Sequence, residues 1–232
     1  MEISEAKPSF DLDKIKNQAL SVITTPATFF KGMAKGGGIQ DPLIFLVAIS
    51  VVTALVRALY MLVSGSFIGA IGVLILTPVM AAIFGFVGAA ILYVIWNVMG
   101  SRENYETAYR CAAYASAIMP ITTLISFIPY LGGVAAMAWG FYLIFLASVS
   151  VHNIPLPKAK LVWGILFTIF ALFGFFSEVG ARKAQKTLER WEQRVSSGEM
   201  SPEEAGRMVG EFLKGLEKAA QKQDESSTNQ NK

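Results

Sequence analysis

Residues 100–129 read GSRENYETAYRCAAYASAIMPITTLISFIP, and between Arg57 and Lys158 this stretch holds every charged residue of the chain. On either side the sequence is almost continuously apolar. A polar loop carrying Arg102 and Glu103 runs into a hydrophobic helix, and Tyr105, Tyr109, Arg110 and Tyr114 crowd its entrance. Amphipathic rings and a guanidinium suit the headgroup zone of a bilayer. Glu106 precedes Arg110 by four residues, the favourable orientation for an ion pair on a helix. Pro120 should kink this helix, with Ser116, Thr122 and Thr123 able to satisfy the backbone groups a proline frees. The stretch therefore reads as the third span, residues 105–127, of a polytopic membrane bundle.

Composition agrees. With 53% hydrophobic residues, 16% charged residues and a mean hydropathy of +0.49, the chain is too apolar for an ordinary soluble domain. The first 41 residues carry five Lys against five Asp or Glu, and the last 55 carry ten of each sign, so neither end is a polybasic arm and nucleic acid is set aside. The first long apolar run starts near Leu43, too late for a cleaved signal, and should act as an uncleaved signal anchor.

Working outward, the expected fold is all-α. Residues 1–41 form an N-terminal amphipathic or interfacial segment. In it Leu12, Ile15, Ala19 and Ile23 fall at helical spacing, and Thr25-Pro26 restarts a helix whose Phe29, Phe30 and Met33 suit a membrane surface. Gly36 to Gly38 breaks it. Residues 42–176 form the membrane domain, with spans at about 43–63, 79–99, 105–127, 134–151 and 161–176. The apolar run from Ser66 to Met99 would be about 50 Å as a straight helix against a core of about 30 Å, so a division is expected at Thr77-Pro78. Small residues four apart, Ala81 with Gly85 and Ala89, and Gly132 with Ala136 and Gly140, allow close helix packing. Residues 177–222 read as a helical hairpin. Its first seam is Ala181, Ala184, Leu188, Trp191 and Val195, its second includes Phe212 and Leu216, and Ser201-Pro202-Glu203-Glu204 gives a capping box between them. Residues 223–232 read as a polar, disordered tail. Lys and Arg in the short loops place the N-terminus in the cytoplasm.

Several of these residues together resemble the prokaryotic branch of the Yip-domain family, the Ypt-interacting proteins. They are Pro26 with Phe29-Phe30, Asp41-Pro42-Leu43, Tyr109-Arg110, Ala113-Tyr114-Ala115, Pro120, Ile128-Pro129, Gly132-Gly133 and Trp139. The resemblance covers about residues 20–176. It implies five spans, a cytoplasmic N-terminus and, for a prokaryotic member, the inner cell membrane. Eukaryotic members are linked to small Rab-type GTPases, but this chain lacks their Asp-Leu-Tyr-Gly-Pro motif, which makes a GTPase partner doubtful.

No catalytic pattern appears, and no cofactor is expected. The single Cys111 excludes an internal disulfide and reads as a small packing residue. His152, at a span end, reads as an interfacial polar residue. The expected function is a non-catalytic membrane-organising or trafficking-type scaffold. Its C-terminal hairpin would bind a protein partner or a second copy through Leu188, Trp191, Val195, Phe212 and Leu216. The alternative is a small solute or ion transporter using Arg57 and Arg110 to attract anions, with Pro78 and Pro120 breaking helices near the midplane.

Overall fold

The structure, a computed structural model, describes residues 11–129, 131–199, 201, 203–204, 206–211 and 214–215, and among them every regular element is helical. The helices are α1 (Leu12–Thr24), α2 (Pro26–Gly32), α3 (Gln40–Val63), α4 (Phe67–Val98), α5 (Tyr105–Ala115), α6 (Met119–Ile125), α7 (Leu131–Ser150) and α8 (Leu156–Ser196), with a 3-10 turn at Ser116–Ile118. Four of them, α3, α4, α7 and α8, are long and apolar enough to cross a membrane.

The local chemistry sets the ends. Asp11 accepts the Lys14 N–H at 3.0 Å and caps α1. Pro26 occupies the first turn of α2, but Thr25 does not cap it. Its hydroxyl turns back to the Ser21 carbonyl at 3.2 Å. Asn104 caps α5 by accepting the Thr107 N–H at 2.9 Å.

Two sequence expectations are corrected here. The chain does not divide at Thr77-Pro78: α4 runs unbroken through Pro78 for 32 residues. In a bilayer an apolar segment has only its own helix to satisfy the backbone, and one lost N–H does not outweigh that. About 48 Å of helix exceeds a core of about 30 Å, so α4 crosses tilted or runs beyond one face. The expected third span, by contrast, is not one regular α-helix: a 3-10 turn at Ser116–Ile118 joins α5 to α6 just before Pro120, whose ring and missing N–H forbid the regular bond to the turn before. Helix α5 stops at Ala115, and α6 restarts with Pro120 in its first turn. Ser116 donates to the Ala113 carbonyl at 2.6 Å, and Thr122 donates to Ile118 and Met119 carbonyls at 3.0 and 3.1 Å.

The chain divides after Phe175. In the first unit α3 packs most extensively on α4, and close approach is built in at Gly85, where a Cβ would come within 2.5 Å of Leu46 Cδ2. Gly132, at the start of α7, has no room at all, since a Cβ there would collide with the Ile125 carbonyl. The main core joins Val22 and Phe30 of the N-terminal helices to Phe45, Trp96, Tyr114, Leu143 and Trp163. Phe29 and Phe30 therefore turn toward the bundle instead of lipid. Phe30 is buried, and Phe29 meets Tyr114 edge-on at 5.3 Å.

In the second unit α8 continues as a charged helix to Ser196, with Arg182 bonded to Glu178 at 2.8 Å. After Gly198, Ser201 and Glu204 exchange bonds at 3.2 Å in each direction, the expected capping box, and residues 206–211 are helical. Phe212 and Leu216 of the expected seam, and residues 223–232, lie outside the described residues.

Candidate functional site

The charged island becomes a clamp. Helix α5, with Glu103 just before it, presents Glu106 and Thr107 on one turn and Arg110 on the next to the segment that links α2 to α3. Arg110 Nε donates to the Ala34 carbonyl at 2.8 Å and Nη1 to the Gly38 carbonyl at 2.9 Å. Glu106 accepts the Gly38 N–H at 2.7 Å, Thr107 donates to the Lys35 carbonyl at 2.9 Å, and Lys35 pairs with Glu103 at 2.6 Å. Lys14 of α1 pairs with Asp41 at 2.6 Å, and this hydrogen bond raises its pKa.

Glu106 and Arg110 thus grip the two sides of one residue, Gly38. The expected ion pair between them does not form, because each finds a backbone group with a better-fixed geometry. The triglycine is more than a breaker. Gly37 and Gly38 have φ of +112° and +88°, a region that a Cβ disfavours, which lets the segment lie flat against α5. Hydrogen bonds from a charged group to backbone contribute about 1.5–3 kcal/mol each, so Arg110 is a main fastening of this segment.

A second polar knot ties the other side of α5. The His152 ring stacks on Trp96 with centroids 3.8 Å apart, shares a 2.8 Å hydrogen bond with Ser101 Oγ through Nδ1, and sets Nε2 3.9 Å from Cys111 Sγ. Close by, Ser148 Oγ accepts both indole N–H groups, Trp96 and Trp163, at 2.7 Å each, and donates to the Ile144 carbonyl at 2.7 Å. Contrary to the interfacial expectation, His152 is only 3% exposed, because the Val151–Pro155 turn folds its ring inward over Trp96. Burial pushes the imidazole pKa down to about 4, against an upward pull from Glu103.

The remaining sequence candidates separate. Tyr109 is fully buried, stacked on Phe86 at 4.7 Å, and its hydroxyl has no partner. Tyr114 is buried between Phe29 and Phe45 with the Arg110 guanidinium 5.9 Å from its ring. These two are core residues and not headgroup anchors. Pro120 stands in the first turn of α6, after the 3-10 turn that joins it to α5. Arg102 is exposed. Arg57 is also exposed and lines a groove on the α3–α4 surface with Val73 and Thr77, away from Arg110. Leu188 is 47% exposed, and Trp191 and Val195 are half-buried.

Sequence reasoning missed Gly38, Trp96, Ser101, Ser148 and Trp163. The only hint was that an indole N–H inside an apolar span needs an acceptor. Among the described residues no group of three His, Cys, Asp or Glu side chains comes together to hold a metal ion.

The family model described as the Yip1 domain matches residues 20–177. That range begins in α1, ends in α8 and contains both the Gly38 clamp and the His152 knot. No curated protein and no solved structure matches the chain.

Proposed function

Because the chain belongs to the Yip1-domain family, we propose that it is a non-catalytic membrane protein that organises membrane-bound partners, with its spans as anchor and its terminal helices as the recruiting surfaces. Family and apolar helices together make it a multi-pass membrane protein. The N-terminus faces the cytoplasm in this reading, and the host is the inner cell membrane if the source is prokaryotic.

One observation carries the reading. Helix α8 changes character within a single element: it leaves an apolar segment at Phe176 and continues to Ser196 as a charged helix with an apolar seam at Ala184, Leu188, Trp191 and Val195. An apolar seam on a charged helix is a surface for another helix. The transporter reading loses support because its two arginines line separate grooves, Arg57 with Val73 and Thr77 and Arg110 with Ser21 and Thr28. The buried hydroxyls of α3, Ser50 and Thr53, are spent on their own helix at 2.7 and 2.9 Å.

The test is in-cell crosslinking of the full chain against Leu188→Asp and Val195→Asp, with membrane insertion followed in parallel. A partner or second copy recovered with the parent chain should be lost from both variants while insertion is unchanged. Equal recovery from all three rejects the seam as the recruiting surface.

A further inference from the structure

Arg110 is 7% exposed, and among the described residues no carboxylate pairs with it. Glu106, one turn earlier, is committed to the Gly38 N–H. A buried charge held only by two carbonyls and the face of Tyr114 is short of compensation. Among the described residues its third nitrogen, Nη2, has no hydrogen-bond partner, yet it is not among the sealed, partnerless atoms. Arg110 lines an open groove of about 370 Å³ between α1, α2 with the two residues after it, and α5.

The wall of this groove is chemically one-sided. Besides Arg110 and Tyr114 it includes Gln18, Ser21, Thr25 and Thr28, and no Asp or Glu. Among the described residues the Ser21 and Thr28 hydroxyls have no hydrogen-bond partner, which leaves both able to donate to a bound group. A guanidinium with the Ser21 and Thr28 hydroxyls beside it, and no acid in the wall, is a donor set that suits a tetrahedral oxyanion.

We propose that this groove is an anion site for a phosphate group, with Arg110 as its charged ligand and Ser21 and Thr28 as hydroxyl donors. The phosphate belongs to a lipid headgroup or to a free phosphorylated compound, and the two sources share the chemistry that recognises them. The site stands independently of whether partners bind the terminal helices.

The test uses the full chain in a neutral detergent, following its thermal unfolding midpoint by tryptophan fluorescence. The probes are inorganic phosphate against chloride at equal ionic strength, and short-chain phosphatidic acid against short-chain phosphatidylcholine. Occupancy at a tenfold excess over Kd should raise the midpoint by about 3–6 °C. Two variants control it. Gly32→Leu fills the groove from its rim, where a Cβ meets nothing within 4 Å. Ser21→Ala with Thr28→Val removes two donors and touches none of the bonds that hold residues 34–38. Both should keep the ligand-free midpoint and lose the rise. A rise with both probes assigns a free oxyanion, and a rise with the lipid alone assigns a headgroup. No rise with either probe, or an equal rise in the parent chain and both variants, overturns the site.

Discussion

His152 is the one histidine of the chain, so it alone gives the protein a titration between neutrality and the carboxylate range. Both folded and unfolded forms hold it neutral above about pH 6.5. Below that the unfolded chain takes up a proton that the buried ring, with its pKa lowered to about 4, refuses. Stability is therefore lost as pH falls from about 6.5 toward 4, by about 3 kcal/mol before the Trp96 face returns about 1 kcal/mol to the charged ring. Unfolding midpoints in detergent should fall between about pH 7 and pH 5 in the parent chain and much less in His152→Gln, which keeps a hydrogen-bonding side chain but cannot titrate. A flat parent profile across that window would show that the ring is not shielded from water.

Where helices touch, single glycines decide the spacing. A Cβ on Gly132 would collide with the Ile125 carbonyl, which is backbone and cannot rotate away. Gly132→Ala should cost about 1–3 kcal/mol. The control is Gly140→Ala, where a Cβ meets nothing within 4 Å; its midpoint should match the parent or exceed it slightly. Helix spacing is also where sequence reading succeeds and fails. Hydropathy located α3, α4, α7 and α8, because burial in lipid leaves so few choices for the backbone. It misjudged Pro78, because a proline's effect depends on what surrounds the freed carbonyls, and only the folded bundle decides that. Pro78 sits inside an unbroken α-helix, whereas Pro120 follows a 3-10 turn with Ser116 and Thr122 bonded to nearby carbonyls. The clamp and the knot were legible only as their separate parts. Arg110, Glu106, His152 and Cys111 stood out as types, but their partners, Gly38, Ser101 and Trp96, are ordinary residues distant in sequence.

At the scale of the whole chain, residues 1–175 hold both polar knots and the main core, while the unit from Phe176 holds the charged helix and the capping box. Every fastening described for the first unit lies within it. A chain ending at Phe176 should therefore insert and unfold at the parent midpoint to within about 2 °C, the shift that corresponds to roughly 0.5–1 kcal/mol in a protein of this size. A larger drop, measured in the same detergent, would mean that the charged helix stabilises the bundle and is not a separable module.

The clamp also sets a clock on biosynthesis. Ala34 and Arg110, which fasten the N-terminal helices, are separated by 76 positions. At roughly 5–20 residues per second, α1 and α2 wait about 4–15 s after their own synthesis before the ribosome delivers the residue that secures them. During that interval Phe29, Phe30 and Val22 lack Tyr114, Leu143 and Trp163 of the core they will enter. The nascent chain must shelter them in the membrane surface or against a chaperone until α5 arrives.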